Sequence, residues 1–217
     1  MIELSQEKFG YAEVLLDDII ISLNTGLNPR SFFKLNTDDA YNYYVTIREI
    51  QNGNIILSNK TDRINDKALK LCNNRSNLEE GDVLFSGTGT IGETALLEEK
   101  PKNWNIKEGV YSIKPNKQYI SSKFLRYLLM TETIRKKIMK KVAGGTVKSI
   151  SMKDLRQLSI PLPSLNKQKI IIDFISSLDS LCNDISKGLP SEIEARRKQY
   201  EYYRDKLLNF KKLENNK

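Results

Sequence analysis

The segment with the most chemical promise is Phe85-Ser86-Gly87-Thr88-Gly89-Thr90-Ile91-Gly92. It contains G-x-G-x-x-G, the spacing of a dinucleotide-binding turn. It also contains F-x-G-x-G, a spacing similar to the S-adenosylmethionine-binding turn of DNA methyltransferases. Both uses need a strand, then this turn, then a helix whose N-terminus meets the ligand. Residues 83–86 supply the strand. The next segment, Ile91-Gly92-Glu93-Thr94-Ala95-Leu96-Leu97, is β-branched and short before Glu98-Glu99-Lys100-Pro101. It reads as a second strand, so a hairpin is expected where a nucleotide site needs a helix. The Asp/Asn-Pro-Pro-Tyr/Phe element with which adenine methyltransferases hold their target base does not occur. An S-adenosylmethionine-binding methyltransferase turn over 87–92 is therefore the weaker reading.

The rest of the chemical inventory is short. The 217 residues contain no histidine, which excludes Ser-His-Asp and Cys-His nucleophile pairs, HExxH zinc sites and an imidazole general base. Cys72 and Cys182 stand 110 positions apart without a CxxC, so neither a metal cluster nor a disulfide framework is expected. No catalytic residue, metal ligand or cofactor is assigned to the chain.

Charge gives the better lead. Lys and Arg number 35 against 27 Asp and Glu, a formal +8, and this favours an anionic partner, nucleic acid above all. Arg30 and Lys34, Lys60 and Arg63, and Trp104 and Lys107 stand in loops beside Asn, Ser, Thr and aromatic residues. Those types suit base edges and phosphates, as they also suit ordinary surface loops. Ser86 and Thr88 of the glycine turn join them as candidate DNA contacts. Lys137, Lys141 and Lys148 belong to a basic run next to Gly144-Gly145-Thr146 and are expected to meet phosphate if they meet DNA.

The elements that would position these residues change character along the chain. Residues 1 to about 120 read as short strands at 14–21, 43–50, 54–57, 83–86, 91–97 and 110–113, separated by turns such as Asn52-Gly53. From Ser121 the spacing of Phe124, Leu125, Leu128, Leu129, Ile134, Ile138 and Val142 predicts one amphipathic helix. A short helix capped by Ser151 and a strand over 158–162 come next. Beyond Pro163 the pattern is helical. Ile171, Leu178 and Ile185 lie seven apart, as do Ile193, Tyr200 and Leu207, with Tyr203 interleaved. That is a coiled-coil seam, interrupted at Gly188-Leu189-Pro190. About 45 helical residues would extend roughly 65–70 Å if straight. The stripe then needs a partner helix, from a second copy or from folding back at Gly188; a partner chain is the favoured expectation. The composition, with mean hydropathy −0.48 and no apolar run near ~18 residues, predicts a soluble cytoplasmic protein without membrane contact.

Taken together, these segments resemble the specificity subunits of type I restriction-modification systems. The resemblance rests on Tyr43-Tyr44-Val45-Thr46-Ile47-Arg48-Glu49-Ile50-Gln51-Asn52-Gly53, on Gly81-Asp82-Val83-Leu84-Phe85-Ser86 running into Gly89-Thr90-Ile91-Gly92, and on Gly145-Thr146 through Ile150-Ser151. It continues in Ile160-Pro161-Leu162-Pro163-Ser164-Leu165 with Gln168, and in Gly188-Leu189-Pro190-Ser191-Glu192-Ile193-Glu194-Ala195-Arg196-Arg197 and the helix after it. The resemblance implies an α+β fold, with a strand-rich target recognition domain (1–163) followed by a long helical coiled-coil arm (164–217). It implies double-stranded DNA as ligand and a non-catalytic role. Methylating modification subunits and a restriction subunit are the implied partners, and S-adenosylmethionine, ATP and Mg belong to them. Such subunits carry two recognition domains, so one here implies half a subunit. A second copy would complete it through Ile171, Leu178, Ile185, Ile193, Tyr200, Tyr203 and Leu207. A coiled-coil adaptor without DNA reading is the alternative.

Overall fold

A computed structural model describes residues 5–7, 10–30, 32–144, 147–185 and 190–210, with backbone alone over 180–185 and 190–193. The strands in chain order are β1 (Ala12–Leu15), β2 (Ile20–Thr25), β3 (Asn42–Val45), β4 (Ile50–Gln51), β5 (Asn54–Ile55) and β6 (Arg63–Ile64). After helix α1 (Asp66–Ser76) come β7 (Val83–Ser86), β8 (Thr94–Leu96), β9 (Trp104–Ile106) and β10 (Val110–Pro115). Helices α2 (Ser122–Met130), α3 (Glu132–Met139) and α4 (Met152–Arg156) lead to β11 (Ser159–Leu162) and to α5 (Leu165–Ile185) and α6 (Pro190–Leu208).

The central sheet is antiparallel in the order β2-β10-β7-β8. Side chains alternate across a strand, and here both faces are covered. Val83, Phe85, Tyr111 and Ile113 face the main core with Phe124, Leu125 and Leu128. Leu84, Ala95 and Val110 face a second core with Val45 and Ile106. These last two come from a smaller sheet, β6-β3-β9, in which β3 and β9 are parallel. Its other face puts Tyr44 and Ile64 against Ala68 and Cys72 of α1. Strand β1 pairs with β11, so the first strand lies beside the residues that lead into α5.

Three expectations change. Helix α1 falls in the region read as strands and turns; its buried stripe is only Ala68, Cys72 and Ser76, too small and polar to announce itself. The single helix read from Phe124 to Val142 is two. Thr131, in extended conformation, ends α2 by donating its N–H to Leu128 O and caps α3 by accepting from Ile134 N at 3.4 Å.

The third concerns the arm. α5 and α6, of 21 and 19 residues, pack on each other, so a straight 65–70 Å rod is not formed. α5 starts beside α2, where Gln168 bonds Ser121 and Tyr119. The residues after α6 return to the same end: Phe210 lies 5.3 Å from Tyr11 and 6.4 Å from Phe124, ring centroid to centroid. The two helices are therefore an antiparallel hairpin about 31 Å long. Residues 186–189, with Gly188 and Leu189 of the expected break, lie outside the described residues. Apolar burial decides this outcome, because Ile171, Tyr200 and Leu207 gain cover from the main core, which a free rod would forgo.

Candidate nucleic-acid interface

The glycine turn is the hairpin between β7 and β8. Its amides are engaged inside the protein. Gly87 N donates to Gly109 O at 2.8 Å, Gly89 N to Lys148 O at 3.0 Å and Gly92 N to Ser86 O at 3.0 Å. No amide of these three glycines is left to cradle a phosphate, and the turn leads into β8, not into a helix. Ser86 is a correction to the candidate contacts. It is fully buried, donating through Oγ to Thr90 O at 2.5 Å and accepting from Glu93 N at 2.8 Å, so its hydroxyl holds the turn together.

Two groupings of candidate residues emerge around the smaller sheet. In the first, register sets Tyr43 opposite Arg63 on one side and Trp104 on the other. Paired residues share a face, so Arg63, Tyr43 and Trp104 form a half-buried cross-strand row. The Arg63 guanidinium lies 3.8 Å from the Tyr43 ring centroid and donates to Tyr41 O at 3.0 Å. Its planar fork is thereby held on an aromatic surface.

The second grouping lines a depression of about 470 Å³ with Thr88, Gly89 and Lys107, together with Thr46, Arg48 and Asp62. Lys148 is alongside, since its carbonyl receives Gly89 N and Ser149 bridges Thr88. Arg48 was not among the candidates. The expected strand over 43–50 hid it, whereas Thr46-x-x-Glu49 is a capping box that ends the strand and starts a 3-10 turn at Ile47–Glu49.

The other candidates are dispersed. Arg30 is exposed in a loop with a φ of 29°. Lys34 is exposed beside Phe32, Asn65 and Lys67, and Lys60 is exposed on the turn closed by Thr61 N and Ser58 O. Lys137 donates to Ser159 O at 2.9 Å and lies 3.8 Å from Glu13, which ties its ammonium to the β1–β11 edge. Lys141 is half-buried and Lys148 exposed.

Of the expected interface residues, Ile171, Tyr200 and Leu207 are half-buried against the chain's own core, which uses surface that had been expected to await a partner. Leu178 is half-buried, and Tyr203 is exposed with its ring against Tyr202. Ile185 and Ile193 have side chains outside the described residues. Burial raises the Tyr200 phenol far above its ordinary range, with the Asp179 charge adding to it. Asp179 itself accepts from Tyr127 OH at 2.9 Å, tying α5 to α2.

The described residues thus form a mixed α+β fold, with basic and aromatic side chains brought together at one small sheet and no group of His, Cys, Asp and Glu that could hold a metal ion. Residues 10–195 match the family model described as the type I restriction modification DNA specificity domain, and the chain belongs to that family. It is 50% identical over 74 residues to a type I restriction enzyme specificity subunit of Escherichia coli, a match covering 34% of this chain and 18% of that protein. It is 32% identical over 134 residues to a putative type I specificity subunit of Haemophilus influenzae, covering 61% of this chain and 33% of the relative. Among solved structures, the HsdS subunit from Thermoanaerobacter tengcongensis shares the fold with a TM-score of 0.58 at 16% identity, over 95% of this chain and 49% of that one. A chain from a type I restriction-modification assembly gives 0.60 at 17% identity, over 92% and 46%. The chain therefore spans less than half the length of these relatives. No described helix is long and apolar enough to cross a membrane.

Proposed function

We propose that this chain reads one half of a bipartite double-stranded DNA site for a type I restriction-modification complex. The observation that carries the reading is the gathering of Arg63, Tyr43, Trp104, Thr88, Lys107 and Arg48 around one small sheet of a specificity-family fold. Phosphate contacts from Lys107, Lys141 and Lys148 position the module, while the side chains around β3 and β6 read base edges. The chemistry lies with partners in the cytoplasm. Modification subunits methylate with S-adenosylmethionine, and a restriction subunit uses ATP and Mg.

A second copy, associating through the helical hairpins, supplies the other half-site. Exposed Ile170 (67%), Phe174 (47%) and Tyr202 (60%) on α5 and α6 support this, because the packing inside one chain leaves them uncovered. Identical modules related by a two-fold axis would read inverted half-sites.

Binding measured at several salt concentrations with duplexes of varied sequence tests the proposal. Discrimination between sequences that persists at fixed salt supports it; affinity equal for all sequences and falling steeply with salt refutes base reading. Light scattering at micromolar concentration tests the second copy, and a strictly monomeric species refutes it.

A further inference from the structure

Arg48 is exposed, yet its guanidinium is held. Nη2 donates to Asp62 Oδ2 at 2.9 Å and Nε to Thr46 Oγ1 at 3.2 Å. Each acceptor is fixed in turn. The Thr46 hydroxyl donates to the buried Glu49 carboxylate at 2.7 Å, and that carboxylate also accepts Thr46 N at 2.8 Å. Asp62 Oδ1 accepts from Asn36 Nδ2 at 3.0 Å, and Asn36 Oδ1 accepts from Arg63 N at 2.7 Å. The chain of bonds runs from a buried carboxylate through Arg48 to the strand that carries Arg63.

Stability does not account for this arrangement. An exposed arginine–aspartate pair contributes little, because solvent screens it and ordering a long side chain costs entropy. What the network fixes is direction. With Nε and one Nη2 proton committed, three protons remain, two on Nη1 and one on Nη2; where Asp62 takes the Nη2 proton on the Nε side, the facing pair, one from each Nη, is the free end-on fork of the guanidinium. Two parallel donors on a fixed plane match two adjacent acceptors. Among base edges in the major groove, guanine offers that pair in O6 and N7, whereas adenine places a donor beside its N7. A phosphate would also accept such a fork, but a freely moving lysine or arginine serves a phosphate without a buttress on each side.

We infer that Arg48 is a specificity-determining residue that reads a guanine in the half-site through its end-on fork, with Asp62 and Thr46 as positioning residues. The inference rests on the DNA-reading function proposed above. Ordering the side chain before binding removes an entropy cost that an unbuttressed arginine would meet at the moment of contact.

Selection from randomised duplexes at fixed salt, with the full chain in complex with its modification subunits, tests this. The expected wild-type result is a motif with an invariant guanine. Arg48→Ala loses selectivity at that one position by about 5- to 150-fold and keeps the rest of the motif. Arg48→Lys keeps more affinity than Arg48→Ala but not the guanine preference, since a point charge cannot imitate the fork. Asp62→Asn weakens the preference by less than Arg48→Ala does. Thermal melting of Arg48→Ala should match wild type, which separates reading from folding. An unchanged motif in Arg48→Ala overturns the inference, and so does a uniform loss across all sequences, the signature of a phosphate contact. A wild-type complex that selects no motif overturns the DNA-reading function and this inference with it.

Discussion

Gln168 fastens the helical hairpin to the strand-rich part of the chain, and its removal has a calculable cost. The side chain is fully buried in the first turn of α5. Nε2 donates to Tyr119 O at 2.8 Å and Pro163 O at 2.9 Å, while Oε1 accepts Ser121 N at 2.9 Å. Leucine at 168 would keep most of the volume and orphan all three backbone groups. A buried orphan costs ~1–3 kcal/mol; Pro163 is buried, but Tyr119 is exposed and Ser121 partly so, and with water able to reach those two the sum comes to about 2–4 kcal/mol. For a chain of this size that lowers Tm by about 4–16 °C, read by circular dichroism. Gln168→Glu adds a sign. Its carboxylate would face two carbonyl oxygens with no proton to offer, whereas the protonated acid can donate one. The folded pKa of the new carboxyl is then raised above the unfolded value of ~4.3. Stability is greatest below that unfolded value and falls as pH rises through the folded one. The Gln168→Glu deficit should therefore shrink between pH 7 and pH 5. A Gln168→Leu melt within about 2 °C of wild type, or a Gln168→Glu deficit independent of pH, would refute the reasoning.

Other buried groups set further expected outcomes. At Gly87 an added Cβ would stand 2.2 Å from the Tyr111 ring, whose hydroxyl is anchored on Ile150 O, so Gly87→Ala should cost ~1–3 kcal/mol in urea denaturation. Burial raises the Asp82 carboxyl, outweighing its bonds from Glu79 N and the Ser112 hydroxyl and the nearby Lys114 charge. Protonation thus stabilises the fold at low pH, and that contribution is lost as pH rises. The stability difference between wild type and Asp82→Asn should move in favour of wild type from pH 7 to pH 4, and a constant difference would contradict this. Burial also pushes the Cys72 thiol up to about 11, so iodoacetamide at pH 8 should label Cys72 only after unfolding, as mass spectrometry of its peptide would reveal.

Much of the fold was legible because its elements carry local signals. The β7–β8 hairpin was evident from β-branched residues on both sides of the glycine turn, and β11 and the Ser151 cap were read at nearly their observed positions. Misreadings came where a local pattern was incomplete. The periodicity from Phe124 to Ile138 is real on both sides of Thr131, so apolar spacing alone could not reveal the cap between α2 and α3. The heptad spacing of Ile171, Tyr200 and Leu207 does mark a buried stripe, but spacing is silent on which surface buries it. The main core is available to those residues without the entropic cost of recruiting another chain, and it takes them.

The site was less legible for a related reason: its residue types were visible, but their relations were not. Arg63 and Trp104 stand in separate segments, and only the pairing of β3 with both β6 and β9 sets them in one row through Tyr43. Ser86 has the composition of a DNA contact, yet a hydroxyl inside a tight turn serves its nearest amide and carbonyl first. Arg48 and Asp62 are 14 positions apart, and nothing in either segment names the other. Gln168 and Ser121 are 47 apart, so the polar residue that fixes the hairpin looked like a landmark with no task. In each case the deciding quantity is which partner the fold brings to a side chain, and that depends on topology.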